Sequence, residues 1–265
     1  MSNLLDYLEK PTKPVSKFIE WSGSEGRFKY YNKEKNENIV MDEPLYFIII
    51  EKVNAITGFS KEKQCGIYSN EIANISKDIL NVCYFKGGLQ VSGLYKDKKG
   101  EIMSMGGKFE NVIYSTLFIK DKEPEIVAFK LFGSALNSYI DAKLQINGSI
   151  IKVQQNPEKQ KNGAVYYFIP EFTVFGNNVK WLDIAKKHAQ ILKEYREQYA
   201  NYQRNVAESI TSQVEREMMA TQENTTLNDI NEEIKNRNKL PLIDLDTKEV
   251  SENDPFGENE NNLPF

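Results

Sequence analysis

At Gly176 the texture of the chain changes, and that change limits the possible folds more than any other feature. From Val15 to Gly176, short segments rich in Ile, Val, Tyr and Phe are cut by Gly, Asn, Asp or Pro, the pattern of strands and turns. Residues 180–220 then contain no Gly or Pro, and Ala185, His188, Leu192, Tyr195, Tyr199, Tyr202 and Val206 recur at steps of three and four. This heptad-like stripe, continued at steps of four by Ile210, Val214 and Met218, predicts one long amphipathic helix. Such a helix would rise about 60 Å, too far to lie wholly on one small domain. A strut packed on the β region and a self-association helix both fit. The three tyrosines favour self-association, and so a homo-oligomer formed through residues 180–220.

Within the β region, extended segments are predicted at 27–31, 45–53, 64–68, 81–85, 89–95, 109–119, 125–132, 144–154 and 164–175. Lys161-Asn-Gly163, between two strand-like segments, predicts a hairpin with a type I′ turn, because Asn-Gly accepts positive φ. Gly133 to Ala142 predicts a short helix with Leu136, Tyr139 and Ile140 on one face. The expected fold class is mainly β: an OB-like Greek-key barrel with additional N-terminal strands, its helix between the third and fourth barrel strands. A long C-terminal α-helix and a disordered acidic tail follow. The domains expected are an arm at 1–14, the OB-like domain at 15–179, the helix at 180–220 and the tail at 221–265.

Charge is unevenly placed. Residues 221–265 hold 11 acidic and 4 basic side chains, net −7, which leaves 30 basic and 27 acidic, net +3, for residues 1–220. A mildly basic body with an acidic arm suggests a nucleic-acid-facing domain and a tail that competes for it. On that reading, deleting residues 241–265 should tighten nucleic-acid binding. The last residues, Asp254-Pro255-Phe256 and then Leu263-Pro264-Phe265 with its free carboxylate, read as one weak and one strong copy of a plug. Its ring would fill an apolar pocket on a partner while the acids meet basic groups on the rim.

That tail resembles those of bacterial and phage single-stranded DNA-binding proteins, which end in an acidic stretch closed by Pro-Phe. Ala135–Val153 with Asn162–Pro170 looks like the helix–strand–hairpin half of an OB fold. Trp21-Ser-Gly-Ser-Glu-Gly-Arg-Phe-Lys-Tyr-Tyr31, Thr57-Gly-Phe-Ser and Tyr68-Ser-Asn-Glu71 resemble segments of such proteins from tailed phages. The resemblance implies a chain that coats single-stranded DNA in replication, recombination and repair, and recruits replication and recombination proteins through Asp254, Pro255, Phe256, Leu263, Pro264 and Phe265.

Independently of the resemblance, the body interleaves aromatic residues with cations. Bases stack on aromatic faces while cations follow the phosphates. The candidate single-strand-binding residues are Trp21, Arg27, Lys29, Tyr30, Tyr31, Tyr84, Lys86, Tyr95, Lys96, Lys98, Lys99, Lys108, Phe109, Tyr114, Lys130 and Phe132. Strand alternation puts Arg27, Lys29 and Tyr31 on one face, opposite Phe28 and Tyr30. It also puts Lys130 and Phe132 together. Tyr95-Lys-Asp-Lys-Lys-Gly100 reads as a hairpin tip.

Enzyme chemistry finds little support. With two Cys and one His, a zinc site or a disulfide framework is not expected. Met105-Gly-Gly-Lys-Phe109 lacks the glycine spacing and the Ser or Thr of a phosphate loop. Asp244-Leu-Asp246 falls in the tail, and His188 has no neighbouring partner in the sequence. No catalytic residues, metal or cofactor are expected. The N-terminus has neither a basic region nor a long apolar stretch, so no signal peptide or membrane contact is expected, and the expected location is the cytoplasm of a bacterium or of a phage-infected host. Two other functions remain open: a phage structural or assembly protein using the helix and tail, and a strand-annealing factor or nuclease.

Overall fold

The structure, a computed structural model, describes residues 11–85, 87–156 and 158–222, with side chains placed as far as Asn205 except that of Gln203. Most of the expected arm, Lys86 and the acidic tail with both Pro-Phe copies lie outside the described residues. Among the described residues, Val15–Ala189 belong to a compact β body, and Pro11–Pro14 and Gln190–Gln222 to a second unit.

The chain opens with a meander of β1 (Lys17–Ser22), β2 (Arg27–Asn32) and β3 (Glu37–Val40). Next come β4 (Leu45–Ser60), β5 (Cys65–Ser69), β6 (Leu80–Tyr84), β7 (Gly88–Gly93) and helix α1 (Tyr95–Met105). Strands β8 (Gly107–Phe118) and β9 (Glu125–Leu131) lead to helix α2 (Gly133–Asp141). After it lie β10 (Ile150–Gln155), β11 (Gln160–Asn162), β12 (Val165–Tyr167), β13 (Pro170–Gly176) and the long helix α3 (Val179–Gln222). One large mixed sheet runs β3-β2-β1-β9-β8-β4-β5-β6-β7, and β10 and β13 branch from the first half of β4. Among the described residues every strand pairing in it is antiparallel except β1 with β9, which is parallel. The fold is thus mainly β, with a long C-terminal helix, as expected.

The sixteen-residue β4 organises the body. It pairs with β8 almost end to end, and a register shift between Ile49 and Glu51 leaves Ile50 extra. Such a bulge bends the strand. One face of the first half carries Phe47 and Ile49 into a core with Ile19, Phe28, Ile113, Leu117, Phe129, Ile151 and Val153. Farther along, Ile56 joins Ile67, Leu80, Val82, Val91 and Ile102 in a second core. On the opposite face, Ile48, Phe118 and Ile150 receive Ala185, Trp181 and Ile184 from α3. Trp181 stacks on Phe118 at 4.1 Å and 7°, and His188 Nδ1 lies 3.0 Å from Thr116 Oγ1. The first turns of α3 therefore act as the strut. Farther along, Tyr195, Tyr199 and Tyr202 stack in series at 5.7 and 6.3 Å.

Local structure departs from the sequence reading at several places: β1 and β3 are additional strands, β4 runs on past residue 53 to Ser60, and the segment predicted at 164–175 is split into β12 and β13. Residues 95–105 form α1 and not a hairpin tip; Gly100 is tolerated inside it, and Gly106 closes it at φ 99° with its N–H reaching the carbonyls of Ile102 and Met103. The predicted strand at 144–154 begins only at Ile150, because Lys143 at φ 49°, Gly148 at φ 82° and an Asn147 side-chain bond to the Ser149 N–H hold a turn there. The hairpin at 160–167 forms, but its central residues are Gly163 and Ala164, and only Gly163 has positive φ. That is the type II′ pattern rather than type I′. In α2 the inward residues are Ala135, Leu136 and Tyr139, while Ile140 is exposed. The Ser138 hydroxyl donates to the Pro170 carbonyl at 2.5 Å and sets that rotation.

Candidate nucleic-acid interface

Side chains directly opposite one another in paired strands share a face. The register therefore lines up Val40, Lys29, Glu20, Lys130, Val112 and Val53 across β3, β2, β1, β9, β8 and β4. A neighbouring row sets Phe18 beside Ala128 and Tyr114. Arg27 and Tyr31 flank Lys29 at two-residue steps, so they join the same face, while Phe28 is fully buried behind it. Arg27, Lys29, Tyr31 and Lys130 are thereby brought together. Sequence reasoning missed Phe18: it is 37% exposed, and Lys130 Nζ lies 5.4 Å from its ring centre. The signal was present in its strand position two residues before Glu20, but Phe alternating in a strand usually means core.

Acids temper this face. Lys29 binds Glu25 at 2.8 Å. Burial raises the Glu20 carboxyl above the ordinary range, against the pull of Lys130 and Lys29. Glu110, buried on the same face of β8, is likewise pushed up by desolvation, opposed by Lys130 and reinforced by Glu20 and Glu71. Its Oε2 is buried without a hydrogen-bond partner. Arg27 has a similar neighbour, Glu43, whose carboxyl is raised by burial and lowered in part by the Gln155 N–H and the Arg27 charge.

The β11–β12 hairpin adds a second set. Tyr166 is 55% exposed, with Lys161 Nζ 5.2 Å and Lys159 Nζ 6.0 Å from its ring centre. Lys159 also lies 5.2 Å from the Phe168 ring. The hairpin is anchored to the β1–β2 turn: Phe168 N–H donates to the Gly23 carbonyl at 2.8 Å, and the Trp21 indole N–H to the Phe168 carbonyl at 3.0 Å. Gly26, at φ 67°, leaves no space for a side chain; a Cβ there would lie 2.3 Å from Gln155 Nε2 and 2.8 Å from Phe168 Cγ. Lys159, Lys161 and Tyr166 were also missed. Their segment was recognised only as a turn.

Other candidates lie elsewhere. Trp21 and Tyr114 are buried, at 7% and 1% exposure, so neither offers a face to a base; Trp21 packs edge-on to Phe28, and the Tyr114 hydroxyl binds Glu71. Both sit mid-sheet, where burial wins over the polar tip. Tyr30 packs half-buried on the inner core and lies 5.3 Å from Lys17 Nζ. Phe109 is wedged between the two cores, 5.1 Å from Tyr95. Tyr84 and Tyr95 pack on the second core. Lys96 and Lys99 are exposed on α1 and Lys98 pairs with Glu101 at 3.0 Å, away from the strand rows. Lys108 is half-buried near the start of β8, and Phe132 is the extended residue just before α2.

Among the described residues no cluster of His, Cys, Asp and Glu could hold a metal ion. No described helix is long and apolar enough to cross a membrane. No family model, curated protein or solved structure matches the chain.

Proposed function

We propose that this protein binds single-stranded DNA without catalysis and with little sequence preference, coating strands in replication or recombination. The observation that carries the reading is the exposed Phe18 ring beneath Lys130, in register with Lys29 and flanked by Arg27 and Tyr31. Ring and cations offer a base platform next to phosphate contacts. The connectivity supports it. A meander of β4, β8 and β9, then α2, then β10 returning to β4 and β13 beside it, is the order of strands and helix in an OB barrel. In such barrels the second and third strands and the loops after the first and fourth bind the strand. Here the loop after the fourth is the Lys159–Tyr166 hairpin. The acidic tail would recruit replication partners through Phe265, and the tyrosine series on α3 would mediate self-association.

The test is fluorescence anisotropy of the full chain on labelled dT oligonucleotide and on matched duplex, across a salt series. Tight binding to the single strand is expected, falling with salt by about 0.7 log units per log unit for each phosphate neutralised. Phe18→Ala should weaken it roughly 5- to 150-fold, the range of one lost stacking contact of about 1–3 kcal/mol. Equal affinity for duplex, or no effect of Phe18→Ala, overturns the reading.

A further inference from the structure

The strand row that carries Lys130 also carries two carboxyls, which a base-and-phosphate site does not require. Glu20 on β1 stands opposite Lys29 on one side and opposite Lys130 on the other. Lys130 in turn stands opposite Val112 on β8, and Glu110 lies two residues before Val112, on the same face. Lys130 is therefore flanked by one carboxyl from each neighbouring strand. Glu110 Oε2 is buried with no hydrogen-bond partner, a state costly for a carboxylate and far less so for a neutral carboxyl. Other charged groups also face the pair. Lys29 is tied to Glu25, and Arg27 lies two residues from it on the same face. Glu71 accepts a hydrogen bond from the Tyr114 hydroxyl, and Lys108 lies two residues before Glu110. Opposite Glu110, β4 places Ala55. Burial raises both carboxyls against the pull of Lys130, and Glu20 raises Glu110 further. Carboxyls that repel in this way titrate as a pair.

We infer that Glu20 and Glu110 are a proton switch on Lys130. With both ionised, they hold its ammonium group as internal counter-charges. With one proton from solvent shared by the pair, the ammonium is released to a strand phosphate. The switch rests on the DNA-binding reading and regulates that same site. A phosphate brought to Lys130 adds negative charge beside the pair, which favours its protonation. Strand binding and proton uptake then reinforce each other, because linkage is reciprocal. The bound state holds more protons than the free state, so affinity rises as pH falls. The slope is at most about tenfold per pH unit for one proton. Since burial raises both groups, the window lies above the ordinary carboxylate value of about 4.3.

The test is isothermal titration calorimetry of the full chain with a dT oligonucleotide, at fixed salt and between about pH 5.5 and 8, a range that spans raised carboxyls. Each titration is run in phosphate and in imidazole, whose different ionisation enthalpies count the protons exchanged. Expected in the parent is net proton uptake on binding, with an affinity several-fold higher at the acid end. Glu20→Gln with Glu110→Gln keeps both shapes. In that variant the uptake should vanish, and the affinity at pH 8 should match or exceed that of the parent at the acid end, with far-UV circular dichroism unchanged. His188 titrates in the same range, so His188→Gln is the control and should leave the uptake as it is. Binding without proton uptake in the parent overturns the switch and leaves the DNA-binding reading standing. So does uptake that persists in the double variant, or that disappears with His188→Gln. No binding to dT at any pH overturns both.

Discussion

Glu110 shows how one residue can work against its own fold. Its carboxyl is buried on the sheet face with Oε2 unpartnered, and burial raises its pKa. A carboxyl with a raised folded pKa stabilises the protein fully below its unfolded value, about 4.3, and loses that contribution as pH rises through the folded value. Glu110→Gln removes the ionisation and keeps the shape. The variant should melt a few degrees above the parent at pH 8 and close to it at pH 4.5, at roughly 2–4 °C per kcal/mol for a body of this size. Differential scanning calorimetry at both values checks it; a lower melting point at pH 8 would show that the Lys130 attraction outweighs desolvation. His188 runs the other way. Burial lowers its pKa, so the contact with Thr116 is favoured above the ordinary value near 6.5 and weakens as pH falls below it. Trp181 fluorescence should therefore report loosening of α3 as pH falls below about 6.5, and His188→Gln should flatten that titration.

Among the elements, the β11–β12 hairpin depends most on a distant one. Gly26 belongs to another turn, yet a Cβ there would strike Gln155 and the Phe168 ring. Gly26→Ala adds a φ penalty of order 1 kcal/mol to that clash. It should unseat the hairpin, with faster amide exchange at 160–168 and a dT affinity weakened several-fold, while the buried sheet stays protected. Exchange unchanged at 160–168 would show that the hairpin holds without its seat. Helix α1 is the element the sequence hid best. Gly100 inside it, and glycines on both sides at 93 and 106, imitate a tip, while Ile102 is its only buried residue. With one inward side chain there is almost no periodicity to detect.

For the whole molecule, the tyrosine series decides what the long helix does. Tyr195, Tyr199 and Tyr202 are half-buried and stacked, and a stripe of this kind adds contact area if a second copy meets it. Sedimentation velocity of the full chain should show an oligomer that shifts towards monomer in Tyr199→Ala, with far-UV helicity retained. A monomeric parent would leave the helix a strut alone. The proposed DNA-binding surface is likewise a property of the whole. Phe18, Lys29 and Lys130 come from separate strands, and Lys130 meets β1 only through the parallel β1–β9 pairing.

The sequence by itself determined the mainly β body, the position of α2, the hairpin at 160–167 and the long helix, because each rests on local periodicity or turn chemistry. It also placed Arg27, Lys29 and Tyr31 on one face, opposite the buried Phe28, since alternation along a strand is local too. Tertiary structure decided which aromatics are reachable. Trp21 and Tyr114 are buried by the strands that flank them, while Phe18 stays open beside Lys130. Exposure depends on what packs above a residue, and those neighbours can lie far along the chain, as Phe168 does from Trp21 and Glu71 from Tyr114. No local pattern records them.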